Sequence, residues 1–123
     1  MKTILFIEDE AALQKTLGDA LRQDGFEILS ALDGEIGMRL AKEKKPDLVL
    51  LDLMLPKQNG FEVLRDLKAG EGTSRIPVIV LTNLEEMQDV QKVLELGATT
   101  YLVKSNYSLE DVVRKIKEAI NEN

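Results

Sequence analysis

The sequence contains no cysteine and no histidine, and these two absences exclude several kinds of chemistry. Without cysteine the chain has no disulfide, no zinc–thiolate site and no thiol nucleophile. Without histidine it has no Ser-His-Asp triad, no imidazole base and no haem ligand. Any chemistry must therefore rest on carboxylates, hydroxyls and lysines, or on a hard metal ion that such groups hold.

Aromatic residues, long apolar runs and basic clusters are also scarce. Aromatics make up 4% of the 123 residues, so the core must be aliphatic. The N-terminal apolar run, Ile4–Ile7, is too short for a signal peptide, and no stretch approaches the ~20 apolar residues of a membrane span. The net charge is −6, which disfavours contact with nucleic acid. We expect a single cytoplasmic domain over residues 1–123, with no membrane or direct nucleic-acid contact.

Short β-rich apolar runs alternate with stretches whose apolar residues recur at helical spacing. The predicted strands cover residues 3–7, 26–31, 47–53, 77–81 and 100–103. The predicted helices cover residues 11–23, 35–43, about 60–69, 85–96 and the segment that opens at Ser108, with Val90, Val93 and Leu94 facing inward on the fourth. This alternation predicts an α/β fold: a doubly wound, five-stranded parallel sheet in the flavodoxin-like order 2-1-3-4-5.

Polar side chains follow four of these strands. In a sheet of this order the ligand site lies beyond the carboxyl ends of the strands, between strands one and three. Strand one is followed by Glu8 and Asp9, strand three ends in Asp52, strand four in Thr82 and strand five in Lys104. We therefore expect three carboxylates, a hydroxyl and an ammonium to lie at one edge of the sheet.

Three neighbouring carboxylates cannot all remain ionised unless a proton or a cation compensates them. Oxygen ligands open to water suit Mg²⁺ or a similar hard ion. An ionised aspartate beside such an ion is a competent nucleophile toward a phosphoryl group, whose oxygens Lys104 and Thr82 would contact. Asp52 is the strongest candidate, because it lies between Leu51 and Leu53 in the most apolar strand and begins no helix.

Each of the other residues also has a structural interpretation. Asp9 is placed to cap the first helix, and Thr82 or Asn83 to cap the fourth. Taken alone, Lys104 could be an ordinary surface lysine. Glu8 could be a solvated acid of a loop. The phosphoryl-site hypothesis depends on all of them meeting at one edge.

In sequence the chain resembles the receiver domain of two-component response regulators, from about Lys2 to Ile120. The resemblance lies in the order and spacing of five pieces rather than in any one of them. These are IEDE after strand one, DLVLLDLMLP around Asp52, NGFEVL opening the third helix, PVIVLT at strand four and GATTYLVK at strand five.

The resemblance implies that Asp52 takes a phosphoryl group from a histidine of a sensor kinase or of a histidine phosphotransfer protein. By the same analogy Mg²⁺ is held by Asp9, Asp52 and the backbone carbonyl of Met54, with Glu8 assisting through water. The chain would catalyse only its own phosphorylation and dephosphorylation. The lack of histidine is consistent with this, since the imidazole donor belongs to the partner.

The resemblance also implies a switch. Thr82 and Lys104 would contact the phosphoryl group, and Tyr101 matches the aromatic residue that turns inward when Thr82 moves. The surface of the fourth helix, fifth strand and fifth helix would then shift for a downstream output protein or a C-terminal output domain, and a homodimer is compatible with this face. In isolation Tyr101 is equally a half-buried strand residue with its hydroxyl in water.

Two residues depart from the family pattern. Ser105 stands where the family usually has a proline after the lysine, which puts the placement of Lys104 in doubt. Asn83 stands where a small alanine is usual, beside the expected phosphoryl group. These departures keep open a receiver-like interaction module that is not phosphorylated.

The chain lacks residues that two other classes of protein need. A phosphohydrolase of the haloacid dehalogenase type needs a second aspartate two residues after the first, and that position is Met54. A flavin-binding protein cradles phosphate in a Ser/Thr/Gly-rich loop after strand one, where this chain has Glu8, Asp9 and Glu10.

Overall fold

A computed structural model of the chain describes residues 1–56, 58–84 and 86–121. The strands are β1 Thr3–Ile7, β2 Glu27–Ala31, β3 Leu48–Leu51, β4 Val78–Thr82 and β5 Thr100–Val103. The helices are α1 Ala11–Gln23, α2 Gly34–Lys44, α3 Gly60–Ala69, α4 Met87–Glu95 and α5 Leu109–Asn121. A 3₁₀ turn, Lys104–Asn106, connects β5 to α5.

The five strands form one parallel sheet in the order β2-β1-β3-β4-β5, which confirms the predicted topology. The ladder pairs Ile7 of β1 with Leu51 of β3, and Thr82 of β4 with Val103 of β5. The strands therefore end at nearly the same level. The residues that follow them are brought to one edge of the sheet, as the alternation of strands and helices predicted.

Helices cover both faces of the sheet, because the strands are apolar on both sides. In β1, Leu5 and Ile7 face one layer and Ile4 and Phe6 face the other. The first layer packs against α2, α3 and α4, with Ala41, Val63, Leu64, Leu67 and Val93 buried there. The second packs against α1 and α5, with Leu17, Leu21, Val112, Ile116 and Ile120 buried there.

Several helices begin at a side-chain cap that satisfies an otherwise unpaired backbone N–H. Asp33 accepts a hydrogen bond from Ile36 N at the start of α2 (2.9 Å). Ser108 Oγ accepts one from Asp111 N at the start of α5 (3.1 Å), at the predicted opening of that helix. No helix in the described part of the chain is long and apolar enough to span a membrane.

The element boundaries differ from the predictions in places. The third strand was expected over 47–53 but covers Leu48–Leu51, because its pairing with β4 ends at Leu51 and Val80. The predicted first residue of the fourth helix, Glu85, lies outside the described residues. The prediction that Leu94 faces inward is wrong: Val93 is buried and Leu94 is 48% exposed.

Candidate functional site

The residues predicted to form the site meet at the carboxyl edge of the sheet. Glu8 follows β1 directly and Asp52 follows β3 directly. Thr82 is the last residue of β4, and Lys104 opens the 3₁₀ turn after β5. The four positions belong to four adjacent strands, so the sheet itself sets the spacing between them.

Three carboxylates form the acidic part of the site. One oxygen from each of Glu8, Asp9 and Asp52 lies within 4.8 Å of the others. Glu8 and Asp52 are buried and Asp9 is exposed. The alternative role for Asp9 is wrong, because the residue that caps α1 is Glu10, and it makes no side-chain cap hydrogen bond.

Lys104 neutralises part of this charge. Its Nζ lies 2.7 Å from Glu8 Oε1, 3.2 Å from Asp52 Oδ2 and 4.0 Å from Glu10 Oε1. The side chain is only 15% exposed, so the interpretation as an ordinary surface lysine is wrong. Ser105 does not displace it: the described residues contain no cis peptide bond, and the ammonium still reaches the acids.

Asp52 is held at both of its carboxylate oxygens. Oδ1 accepts a hydrogen bond from Met54 N (3.2 Å), and Oδ2 accepts one from Lys104 Nζ (3.2 Å). The Met54 side chain is exposed, but its amide fixes the loop beside the carboxylate. The carboxylate is thus oriented by one charged and one neutral donor, in a position nearly closed to solvent.

Glu8 is fully buried, so its interpretation as a solvated loop acid is wrong. Its Oε2 accepts a hydrogen bond from Glu10 N (3.0 Å). Burial raises the pKa of the Glu8 carboxyl from 4.5 to about 7, against the lowering effect of hydrogen bonds from Lys104 and Glu10 N, and the charge of Asp52 adds to the rise. Burial alone would lower the pKa of Lys104, but its hydrogen bond to Glu8 and the charges of Asp52 and Glu8 raise it.

Thr82 is fully buried, and its Oγ1 has no hydrogen-bond partner among the described residues. A buried hydroxyl without a partner is costly, which points to a group absent from the protein chain itself. The proposed capping role of Thr82 or Asn83 is wrong, because the residue that caps α4 is Glu86. Asn83 is exposed beside the site.

Tyr101 is half-buried on β5, two strands away from Asp52. Its hydroxyl donates a hydrogen bond to Leu84 O (2.6 Å), so the alternative that leaves it in water is wrong. Burial raises the pKa of the Tyr101 hydroxyl, with the charges of Asp89 and Asp52 adding to the effect. The tyrosine therefore holds the segment that follows Thr82.

Gln14 is the residue of this edge that the sequence analysis missed. It lies on α1 and is 8% exposed, and the two hydrogens of its Nε2 are shared among three carbonyls within hydrogen-bond distance: Phe6 O (2.8 Å), Glu8 O (3.1 Å) and Ala31 O (3.2 Å). The sequence does contain a signal for Gln14, because this residue shares the helical spacing of Leu17 and Leu21. A side-chain amide on the apolar face of a helix needs a buried hydrogen-bond partner.

The donor set fits a hard divalent cation. Three carboxylates face one ammonium among the described residues, which leaves the cluster with an excess of negative charge. Carboxylate oxygens with access to water are the ligands that Mg²⁺ prefers, and one member of the cluster, Asp9, is exposed. The site can therefore accept both a cation and, beside Thr82 and Lys104, an anionic group.

Comparisons with known proteins agree with this geometry. A family model described as the response regulator receiver domain matches residues 4–117. The DNA-binding dual master transcriptional regulator RpaA of Synechocystis sp. is 38% identical over 117 residues, which cover 95% of this chain and 48% of that protein. The chain spans about half the length of the curated relatives it matches.

Two solved structures show the same fold over nearly their whole length. The Mn²⁺-bound form of the response regulator Rcp1 superposes with a TM-score of 0.88 at 32% identity, covering 100% of this chain and 97% of that one. The phosphorylated cyanobacterial phytochrome response regulator RcpA superposes with a TM-score of 0.86 at 32% identity, covering 98% and 94%. With its sheet order and its acidic edge, the chain belongs to the receiver domains of response regulators, which act as signalling switches rather than as classical enzymes.

Proposed function

We propose that Asp52 is the phospho-acceptor of this switch and that the donor is a phosphohistidine of a sensor kinase or of a histidine phosphotransfer protein. A carboxylate oxygen of Asp52 attacks phosphorus, the phosphorus–nitrogen bond to imidazole breaks, and the imidazole leaves with the electron pair of that bond and takes up a proton. The chain supplies the groups that promote its own phosphorylation. The same groups promote its dephosphorylation, in which water attacks phosphorus and Asp52 leaves as a carboxylate.

One observation carries this proposal. Asp52 is a buried carboxylate that two donors orient, and it shares a cluster with Glu8 and Asp9 while touching Lys104. A purely structural aspartate in an apolar strand needs a partner, but it does not need two further acids beside it. The fact that the relative RcpA is known in a phosphorylated form supports the same assignment.

Mg²⁺ is the cation that we propose for the acidic cluster. Asp9 and Asp52 would hold it, with the backbone carbonyl of Met54 as a further ligand and Glu8 acting through water. When bound, the ion neutralises charge on the phosphoryl oxygens during transfer. The relative Rcp1 is known in an Mn²⁺-bound form, which supports the binding of a divalent ion.

Thr82 and Lys104 would contact the transferred group. The Lys104 ammonium, already 3.2 Å from Asp52, is placed to neutralise a phosphoryl oxygen bonded to that carboxylate. The Thr82 hydroxyl is buried without a partner among the described residues, and a phosphoryl oxygen would supply an acceptor. Both side chains would thus interact more strongly with the phosphorylated site than with the unmodified one.

The output follows from movement at Thr82. Phosphorylation adds about −1.5 to −2 charge and three strong acceptors, which draw Thr82 and Lys104 toward Asp52. The segment after Thr82 is held by the hydrogen bond from Tyr101 to Leu84 O, so a shift at Thr82 would reach β5, and we expect the surface of α4, β5 and α5 to move with it. A coupling of ~1–3 kcal/mol is typical of such a switch. A partner protein or an output domain would bind this surface in its shifted state. The name of the relative RpaA, a DNA-binding regulator, suggests a DNA-binding output domain as one such partner.

The test is the intact mass of the protein after incubation with acetyl phosphate, with and without Mg²⁺. We expect one base-labile phosphoryl adduct that needs Mg²⁺ and is absent from Asp52→Asn. The matched control is Asp33→Asn, which changes another buried acid of the same edge while keeping the side-chain oxygen that caps α2.

Asp33→Asn should accept phosphate as the wild type does. An adduct that persists in Asp52→Asn would contradict the assignment of the acceptor. No adduct in the wild type, either from acetyl phosphate or from a histidine-phosphorylated donor protein, would contradict the proposed function as a whole.

A further inference from the structure

Gln14 connects three backbone carbonyls at the corner where the acidic residues emerge. Its Nε2 lies 2.8 Å from Phe6 O in β1, 3.1 Å from Glu8 O and 3.2 Å from Ala31 O, the last residue of β2. One side-chain amide therefore joins the end of β1, the end of β2 and the residue that carries a site carboxylate.

Other hydrogen bonds also restrain this corner. Glu8 N donates to Ala31 O (2.9 Å), and Glu10 N donates to the Glu8 carboxylate (3.0 Å). The first residue of α1 has no side-chain cap before it. Gln14 N also donates to Glu10 O (3.0 Å), and Lys104 Nζ holds the Glu8 carboxylate (2.7 Å). Within this network, Gln14 Nε2 is a side-chain donor that reaches the backbone of Glu8 directly.

The arrangement is costly to maintain, which argues that the three contacts matter. Gln14 is 8% exposed, and its Oε1 has no hydrogen-bond partner among the described residues. A buried acceptor without a partner disfavours folding. An aliphatic residue at this point of the apolar stripe of α1 would avoid that cost but would remove the side-chain donor from Phe6 O and Glu8 O, while Ala31 O would keep its hydrogen bond from Glu8 N.

We infer that Gln14 is a positioning residue for the metal and phosphoryl site: it fixes the backbone of Glu8 and Asp9 so that their carboxylates meet Asp52. This inference rests on the proposed function. Groups that orient metal ligands without touching the metal commonly change the affinity about 10–100-fold when they are removed. Gln14→Met keeps the length of the side chain and removes the donor, so we expect about a ten-fold weaker affinity for Mn²⁺ or Mg²⁺.

The experiment compares metal binding by calorimetry in four proteins: the wild type, Gln14→Met, Asp9→Asn and Thr73→Val. Thr73 is the matched control, because it is also buried and its Oγ1 donates to Leu67 O (2.7 Å) at the opposite edge of the sheet. Each protein is first checked for folding by circular dichroism and thermal unfolding. We expect Gln14→Met and Asp9→Asn to bind the metal more weakly and Thr73→Val to bind as the wild type does, even if it is less stable.

Phosphorylation by acetyl phosphate gives a second readout. Gln14→Met should need a higher Mg²⁺ concentration for half-maximal rate while approaching the wild-type rate at saturating Mg²⁺. Loss of stability alone would not move the Mg²⁺ requirement of the folded fraction.

A measurement on the wild type keeps the inference testable if Gln14→Met fails to fold. The side-chain amide resonance of Gln14, followed by ¹⁵N NMR, should shift as Mg²⁺ is added, because the carbonyl of Glu8 accepts from it. An unchanged resonance at saturating Mg²⁺, wild-type affinity in Gln14→Met, or equal weakening in Thr73→Val would overturn the inference alone. A wild-type protein that binds no metal would overturn both the inference and the proposed function. If the wild type binds metal and Asp9→Asn binds it more weakly, the proposed metal site stands, and wild-type affinity in Gln14→Met then overturns the inference alone.

Discussion

At the scale of single residues, Glu8 shows how the fold alters the chemistry of a side chain. It is fully buried, and burial raises the pKa of its carboxyl to about 7. The folded protein without metal therefore holds a proton on Glu8 at pH values where the unfolded chain has already released it. The sign follows: between about pH 4.5 and 7 the folded state is the better proton binder, so Glu8 makes the protein less stable as the pH rises.

We therefore predict that Glu8→Gln flattens the dependence of stability on pH in the absence of metal. The free energy of unfolding, measured by urea denaturation in EDTA from pH 5 to 8, should fall more steeply for the wild type than for Glu8→Gln. Glu27→Gln, which changes an exposed glutamate of β2, should retain the wild-type slope. Equal slopes in the wild type and Glu8→Gln would contradict the prediction.

The sequence predicts some site residues better than others for a physical reason. Asp52 stands out because its neighbours Leu51 and Leu53 are apolar, and a lone acid there needs a partner. Glu8 gives no such signal, since the chain after it is acidic and looks solvated. Its burial results from the pairing of β1 with β2 and β3 and from the ammonium that arrives from β5, contacts that connect distant parts of the chain.

At the scale of elements, α3 begins in direct contact with the loop that carries Asp52, the proposed phospho-acceptor. Gly60 is its first residue, and Gly60 N donates to Leu53 O (3.1 Å). A Cβ at position 60 would clash with Leu53 Cα and would lie 2.7 Å from Asp52 O. Because the contact is with backbone, neither side can move without moving Asp52.

Gly60→Ala is accordingly expected to lower the free energy of unfolding by about 1–3 kcal/mol, as overpacking does elsewhere, and to slow phosphorylation of the folded fraction. The matched variant is Gly18→Ala in α1, where the added Cβ meets only the flexible end of Arg22 at 3.4 Å. A glycine inside a helix is less favourable than alanine by up to ~1 kcal/mol, so Gly18→Ala should unfold at the same temperature or higher. Thermal unfolding measures the change in stability, and the rate of phosphorylation by acetyl phosphate measures the change in activity. A Gly60→Ala protein as stable and as active as Gly18→Ala would show that the contact between Gly60 and the Leu53 backbone does not restrict the site.

The existence and order of the elements were predictable from hydrophobic periodicity, but their ends were not. At its carboxyl end the third strand loses two predicted residues, Asp52 and Leu53, because pairing with β4 stops at Leu51, and at its other end it loses Asp47. Leu94 has the helical spacing of an inward residue, yet α4 buries Val93 and leaves Leu94 exposed. Boundaries and faces of this kind depend on the neighbouring element, which local patterns do not contain.

At the scale of the whole molecule, the acidic cluster connects metal binding to folding. Carboxylates that converge only in the folded state bind the ion better there than in the unfolded chain. Mg²⁺ should therefore stabilise the protein, by about 2.7 kcal/mol when its concentration is a hundred times the dissociation constant.

The unfolding temperature should accordingly rise with Mg²⁺ and much less with KCl at equal ionic strength. Asp9→Asn should weaken the response, since it removes one of the three carboxylates. A rise of the same size with KCl, or in Asp9→Asn, would show that the effect is ionic screening rather than binding at this site.

The topology also gives the site a property that none of its residues has separately. Glu8 lies near one end of the chain, Asp52 near the middle, and Lys104 follows β5, an edge strand that pairs only with β4. A chain still leaving the ribosome carries the acids long before the lysine that compensates them. Only when β5 docks does the ammonium reach Glu8 and Asp52. The proposed phosphoryl site is therefore complete only when β5 has joined the sheet, and a chain shortened before β5 would lack the ammonium of that site.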